Sequence, residues 1–346
     1  MLEKGKLNIL IDGQFGSTGK GLVASYIGER FEIDIAVSNA SANAGHTFYI
    51  NGKKMITHFL PVSGIINPDS IIYISAGSII DPKEFMKELE IFNIDKNRVK
   101  IHPRAAIIEE RDRFEESCNS LKGISSTLSG TGAALVRKIG RSASLAKDEK
   151  CFNSMILAYD LQYEMDRDRT VFMEVPQGLD LSINSGLAYP HCTSREITVP
   201  AAMSDAQVHP HYLGKTITVI RTYPIRVANA YDEDQADYTD GWSGPFYPDS
   251  IETTWKKIDV LPEYTTVTKK KRRVATFSIQ QYKRMLWILR PDTIFLNFAN
   301  YFGTSQELIE FLGRVPEVDY LGYGPRASDI VHKDTLLKNS KRSLKI

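Results

Sequence analysis

Residues 8–21 read NILIDGQFGSTGKG: a short apolar run, then glycines at 13, 16, 19 and 21, with Lys20 where a helical pattern begins. Glycines let backbone N–H groups converge on an anion. A helix start adds partial positive charge, and a lysine supplies a mobile ammonium group, so the segment reads as a phosphate-binding strand–loop–helix turn. It is not a Walker A sequence. Counting back from Gly19 and Lys20 places Gln14 where the first glycine belongs, and Gly21 replaces the usual Ser or Thr.

Further apolar runs at 7–11, 35–37, 71–74, 171–173, 217–220 and 294–298 have the length and composition of buried parallel strands. Helical patterns at 19–30, 82–92, 111–121 and 278–289 separate several of them, which predicts an α/β fold: a mostly parallel central sheet with helices on both faces. The whole chain, 1–346, is expected to form one domain with loop and helical excursions. Residues 229–248 (NAYDEDQADYTDGWSGPFYP), acidic and rich in turn formers, are expected to form a surface loop.

At 346 residues and 42% apolar content the chain can bury a large core without disulfides. Cys118, Cys151 and Cys192 form no CxxC pair, and any disulfide scheme leaves one over, which fits a reducing cytoplasm. No run approaches the roughly 20 apolar residues of a membrane span, and the N-terminus has no signal-peptide core. With 43 basic and 42 acidic residues, the net charge of +1 gives no global reason to expect a nucleic-acid or membrane partner.

The phosphate loop resembles the GQWGDEGKG loop of adenylosuccinate synthetases, matched here from Gly13 to Gly21. Other segments follow in that family's order: NAGHT at 43–47, SSTLSGTG at 125–132 (similar to GTTGxGxG), EVPQG at 174–178 (EGxQG) and YPHCTS at 189–194 (YPYVTS). Arg226–Val227, EYTTVTKKKRRV at 263–274 (EYGTVTGRRRRV) and Gly324–Pro325 complete the series. The resemblance implies a fold with a P-loop-like phosphate loop and a two-step ligation. A purine O6 attacks the γ-phosphoryl group of a nucleoside triphosphate, and the amine of L-aspartate then displaces the 6-phosphate.

Carried onto these residues, the resemblance assigns the donor nucleotide to Gly16, Ser17, Thr18, Gly19, Lys20, Gly21, Gly45, His46, Thr47, Arg272, Asn297, Ala299, Gly324 and Pro325. Magnesium would take phosphate oxygens, the Gly45 carbonyl, Ser17 and water. His46 would be the acid supporting the migrating phosphoryl group. Ser17, Asn43, Thr127, Arg141, Gln177, Thr193 and Lys270 would contact the acceptor nucleotide, Gln177 orienting the base through O6. Ser17, Lys20, His46 and Gln177 form the catalytic set. Arg141 matches an arginine that reaches a neighbouring subunit's site, which implies a homodimer with shared active sites. The run KKKRR at 269–273, which alone would suggest a nucleic-acid patch, falls in a loop that closes over L-aspartate, with Thr266, Val267, Thr268 and Arg272 in contact.

Three departures from the family pattern bear on substrate. The family's catalytic aspartate, which takes the N1 proton, is Ser17, and the following glutamate is Thr18. Loss of that carboxylate opens space near C2 and supplies a hydroxyl for an exocyclic 2-amino group, which suits guanine. The Lys-x-Asp element that reads the guanine of GTP is Asn297, Phe298 and Ala299, so the two charge-assisted bonds of a carboxylate, about 1.5–3 kcal/mol each, are lost and ATP or dATP becomes the expected donor. A family arginine at the acceptor ribose is Lys270, a point charge in place of a fork, compatible with a 2'-deoxy sugar. Together these changes resemble a phage branch of the family that makes N6-succino-2-amino-2'-deoxyadenylate from dGMP, L-aspartate and ATP, which for a phage-encoded chain means the host cytoplasm. The sequence leaves open what replaces the missing base; Asp12, at a strand end, reads as support for the loop. The competing readings are a divergent adenylosuccinate synthetase using IMP and GTP, and a non-catalytic nucleotide sensor.

Overall fold

A computed structural model describes residues 1–118, 120–227, 231–232, 237–238, 242–265 and 270–335. Nine strands form the central sheet: β1 (Leu7–Asp12), β2 (Ile35–Ser38), β3 (Ile71–Ile74), β4 (Val99–Ile101), β5 (Val171–Glu174), β6 (Leu213–Arg221), β7 (Thr293–Asn297), β8 (Tyr320–Gly322) and β9 (Ile330–His332). Their order is β9-β8-β7-β6-β1-β5-β2-β3-β4. Adjacent strands run parallel except β8 and β9, which pair antiparallel at one edge.

The alternation of side chains along β1 explains how helices come to cover both faces. Leu7, Ile9 and Ile11 join one core with α5 (Val199–Ala206), α6 (Ile279–Leu289) and α7 (Ser305–Arg314), through Met203, Met285 and Phe311 among others. Leu10 points to the opposite core, where α1 (Lys20–Arg30) contributes Leu22, Val23, Ala24 and Ile27. Each such side chain, fully buried, stabilises the fold by roughly 1.5–3 kcal/mol before the entropy of ordering is subtracted.

Local chemistry sets the helix starts. Asp81 accepts from the amides of Lys83 and Glu84 ahead of α2 (Pro82–Ile91), Ser278 accepts from Gln281 N ahead of α6, and Thr304 with Glu307 forms a capping box on α7. The helix expected over 111–121 becomes α3 (Glu110–Cys118), followed by a 3-10 turn at Ser120–Ile124; α4 (Thr131–Ile139) packs against α3. No helix among the described residues is long and apolar enough to cross a membrane.

The expected surface loop at 229–248 is corrected in its second half; residues 228–230, 233–236 and 239–241 lie outside the described ones. Ser243 and Tyr247 are buried, and the Tyr247 hydroxyl donates to Asp180 Oδ1 at 2.7 Å. Its turn residues wrap an aromatic anchor that the acidic composition hid: Phe246 and Tyr247 pack against Phe15 of the phosphate loop.

Candidate active site

Several strands of the sheet end in a buried polar residue: Asp12 on β1, Ser38 on β2, Glu174 on β5, Arg221 on β6 and Asn297 on β7. The carboxyl ends of parallel strands are where open α/β sheets bind ligands, and four of these residues organise the site. Asp12 Oδ1 accepts from the amides of Gln14 (2.9 Å) and Gly16 (3.2 Å), while Oδ2 accepts from the Thr18 hydroxyl (2.5 Å) and lies 3.3 Å from Lys20 Nζ. Asp12 therefore serves as the internal template of the loop. Gly16, Ser17 and Gly19 adopt left-handed φ angles of 82°, 55° and 86°. Serine is the costly one of the three, since its Cβ crowds the backbone there.

The carbonyl oxygens of this loop are tied to side chains from other strands. Asn297 Nδ2 donates to Thr18 O (2.8 Å) and Gly19 O (3.2 Å), and Arg221 Nη1 donates to Ser17 O (2.9 Å). Holding these carbonyls reduces repulsion of an anion, and α1 starts with no side-chain cap. Lys20, almost fully buried, donates to Gln177 O at 2.6 Å. Gly178 presses so closely on Gly16 N and Gln14 O that no Cβ fits, which accounts for the glycine of EVPQG. At Gly21 the Thr47 carbonyl fills the space where a Cβ would stand, so the Ser or Thr of a Walker loop has no room.

Above the loop opens a cavity of about 930 Å³, near the upper end of the range for small-molecule sites. Ser17 is exposed into it. Its wall brings together Gly16, Gly19, Lys20, Gly21, Asn43, Gly45, His46, Thr47, Thr127, Gln177, Lys270, Arg272, Asn297, Gly324 and Pro325 from separate sequence motifs.

His46 opens the hairpin His46–Ile50/Lys53–Thr57. Its Nδ1 lies 3.9 Å from Glu174 Oε2, beyond hydrogen-bond range. Burial, followed by the charges of Lys20 and His58, pushes its pKa down to about 3, so the imidazole is neutral near pH 7. Glu174, itself pushed upward by burial, accepts from Ser63 N (2.8 Å), Ser63 Oγ (2.7 Å) and Val62 N (3.1 Å). The expected acid is therefore uncharged near pH 7.

Among the residues expected at the acceptor, Asn43 Oδ1 accepts from Ser41 Oγ (2.8 Å) and its Nδ2 reaches Thr193 Oγ1 at 3.5 Å, so Thr193 stands behind Asn43 and not on the wall. Thr127 Oγ1 lies 3.2 Å from Ser129 Oγ, and Gln177 has a left-handed φ of 67°. Arg141, exposed just beyond α4, is not on the cavity wall of its own chain. Thr266, Val267 and Thr268 lie outside the described residues. On either side of them Thr265 N donates to Lys270 O (2.8 Å) and Arg272 N to Glu263 O (2.8 Å), a backbone pairing of 263–265 with 270–272 that sets Lys270 and Arg272 at the wall.

Two expected contacts need correction. The Thr18 side chain is fully buried with its hydroxyl on Asp12, which leaves only its backbone for a donor nucleotide. Ala299 packs into the apolar core, while its neighbours Phe298 and Asn300 face the cavity. The one-turn 3-10 segment Ala299–Tyr301 rotates the side chain inward, which an extended alignment from the strand does not anticipate. Sequence reasoning also missed Arg221, Glu263 and Tyr301. Arg221 stood at the polar end of an apolar strand, the available signal.

The family model for adenylosuccinate synthetase matches residues 9–156 and 152–308. The chain belongs to the adenylosuccinate synthetase family. Within it, the chain is 36% identical to the N6-succino-2-amino-2'-deoxyadenylate synthase of Acinetobacter phage SH-Ab 15497, over 94% of this chain and 93% of that one. It is 34% identical to the enzyme of the same name from Vibrio phage phiVC8, over 96% and 99%. The fold matches that of the cyanophage S-2L succinoaminodeoxyadenylate synthetase, solved with dGMP and with dATP as an energy donor, at a TM-score of 0.83 and 32% identity over 96% of this chain and 99% of that one.

Proposed function

We propose that the chain is a carbon–nitrogen ligase that joins L-aspartate to C6 of dGMP at the expense of ATP or dATP, giving N6-succino-2-amino-2'-deoxyadenylate in the cytoplasm of a phage's host. The observation that carries this reading is Ser17. It is exposed into the cavity at the position of the family's carboxylate, and the one acidic residue of the loop, Asp12, is buried and committed to the loop itself. A small hydroxyl there accommodates an exocyclic 2-amino group, which a carboxylate beside N1 would crowd.

In the first step an O6–P bond forms, the γ-phosphoryl–oxygen bond breaks with release of the nucleoside diphosphate, and the N1 proton passes to solvent water. Lys20 and the loop amides hold the triphosphate, where fixed positive charge meets the charge that develops in transfer. His46 donates a ring N–H to the phosphoryl oxygens, which the neutral imidazole carries without a further proton. Gln177 orients the base, and Asn43, Thr127 and Lys270 hold the acceptor. In the second step the neutral aspartate amine forms the C6–N bond, the C6–O6 bond breaks, and the proton the amine gives up leaves with the orthophosphate; Arg272 holds a substrate carboxylate.

Magnesium fits the donors present. Gly45 and Ser17 offer neutral oxygens at the wall, and no cluster of three His, Cys, Asp or Glu exists among the described residues, so phosphate oxygens would balance the ion's charge. When bound it would supply neutralisation of phosphate charge.

Arg141 follows α4, whose Val136 and Ile139, with Phe114 of the adjoining α3, expose apolar side chains. That face supports a homodimer in which each Arg141 completes its partner's acceptor site. Mixing inactive Arg141→Ala and Lys20→Ala subunits should restore part of the activity; no recovery after verified subunit exchange would exclude the shared site.

The reaction is tested with dGMP labelled with oxygen-18 at O6, L-aspartate, magnesium and ATP. Label should appear in orthophosphate in step with the succino product. Product without labelled phosphate would overturn the 6-phosphoryl route, and no product would overturn the function.

A further inference from the structure

Arg221 is fully buried at the end of β6 and touches three parts of the site. Its Nη1 donates to Ser17 O (2.9 Å) and to Glu263 Oε2 (3.1 Å), its Nη2 donates to Glu263 Oε1, and the guanidinium lies 3.9 Å from the Phe298 ring centre. Glu263 is held from two more directions: the Tyr301 hydroxyl donates to Oε1 (2.9 Å), and the Glu263 carbonyl accepts from Arg272 N (2.8 Å). Burial, the largest single influence, would raise the Glu263 carboxyl, but the charge and hydrogen bonds of Arg221, with the Tyr301 hydroxyl and the Arg272 charge, together hold the group below its ordinary value. A charge this deep is retained only with a close partner, and the forked guanidinium spans two partners where an ammonium would meet one.

We propose that Arg221 is a positioning residue that sets the phosphate loop and the paired stretches 263–265 and 270–272 in fixed relation, so that the donor γ-phosphoryl group and the aspartate carboxylates are placed by one side chain. The inference rests on the proposed ligase function. Glu263 belongs to the segment expected to hold aspartate, so a purely local role for it would move the aspartate KM alone. Transmission through Arg221 to Ser17 moves the donor KM as well. Of the acceptor contacts, Ser17 and Lys270 lie on the parts this network joins while Asn43 and Thr127 lie outside it, so the dGMP KM should rise less than the other two.

The test is steady-state kinetics on full-length wild type, Glu263→Gln and Tyr301→Phe, with thermal melting to verify folding. Gln keeps the size of Glu263 but turns one acceptor into a donor facing Arg221. In Glu263→Gln both the ATP KM and the aspartate KM should rise about tenfold or more while the dGMP KM stays within about threefold; Tyr301→Phe should show the same pattern at smaller amplitude. A rise confined to aspartate, an equal rise for all three substrates, or a lowered melting temperature with unchanged KM values would overturn the inference. If Glu263→Gln does not fold, Tyr301→Phe decides, since it leaves the ion pair intact. A wild type that forms no succino product removes the functional reading and the inference with it, whereas product formation without the paired KM shift refutes the positioning role alone.

Discussion

Lys20 Nζ donates to the carbonyl oxygen of Gln177 at 2.6 Å, so the ammonium group of the phosphate loop is held by the loop that follows β5. The contact joins two motifs 157 residues apart and leaves the lysine at the cavity wall beside His46. Lys20→Ala removes charge that acts on the phosphoryl group, while Asp12 keeps its bonds to Gln14, Gly16 and Thr18. Turnover should fall by at least about a hundredfold with the circular dichroism spectrum unchanged. Near-normal kcat would contradict the assignment.

Gly21 tests the packing of the hairpin on α1. Gly21→Ser would recreate the residue of a Walker loop, but its Cβ meets the Thr47 carbonyl, which is backbone and cannot swing aside. The variant should lose about 1–3 kcal/mol of stability and most of its activity, read from denaturant unfolding and kcat. An unaltered unfolding midpoint would refute the close approach.

His46 gives a pH dependence with a defined sign. Its pKa falls from 6.5 to about 3 on folding, so the unfolded chain binds a proton below 6.5 that the folded chain refuses. The stability linked to His46 is complete above pH 6.5 and is lost as pH falls toward 3. In the empty protein the imidazole NMR shifts should stay flat between about pH 5 and pH 8. His46→Asn should show a weaker decline in stability on acidification than wild type. A midpoint near 6.5 would mean the ring is neither buried nor under the influence of Lys20.

Ser17→Asp restores a carboxylate where the family carries one. The larger, charged group crowds a 2-amino substituent and offers an acceptor to N1–H, so the ratio of kcat/KM for dGMP over dIMP should fall by about tenfold or more. The ATP preference should remain, because Phe298, Asn300 and Pro325 lie elsewhere on the wall. An unmoved ratio would remove Ser17 as the residue that reads C2.

The fold was legible where hydrophobic period and turn chemistry agreed. The six apolar runs became β1, β2, β3, β5, β6 and β7, since a strand buried on both faces needs an unbroken apolar run. The short strands β4, β8 and β9 and the helices α4, α5 and α7 escaped notice, because three residues carry no period and Thr131–Ile139 presents Val136 and Ile139 to solvent. Motif order brought Lys20, His46, Asn43, Gln177 and Arg272 to one cavity. Arg221 and Glu263 were not legible in this way: their pairing spans 42 residues and joins the end of β6 to a segment outside the central sheet, a contact that only the folded chain makes.

The central claim is the choice of acceptor, and competition measures it most directly. Purified protein would receive dGMP, GMP, dIMP and IMP together at equal concentration with L-aspartate, magnesium and either ATP or GTP, and the succino products would be quantified by mass spectrometry as they form. The account predicts that the dGMP product leads, and that it forms faster with ATP than with GTP. Faster conversion of IMP, driven by GTP, would contradict it and return the chain to the family's ordinary reaction.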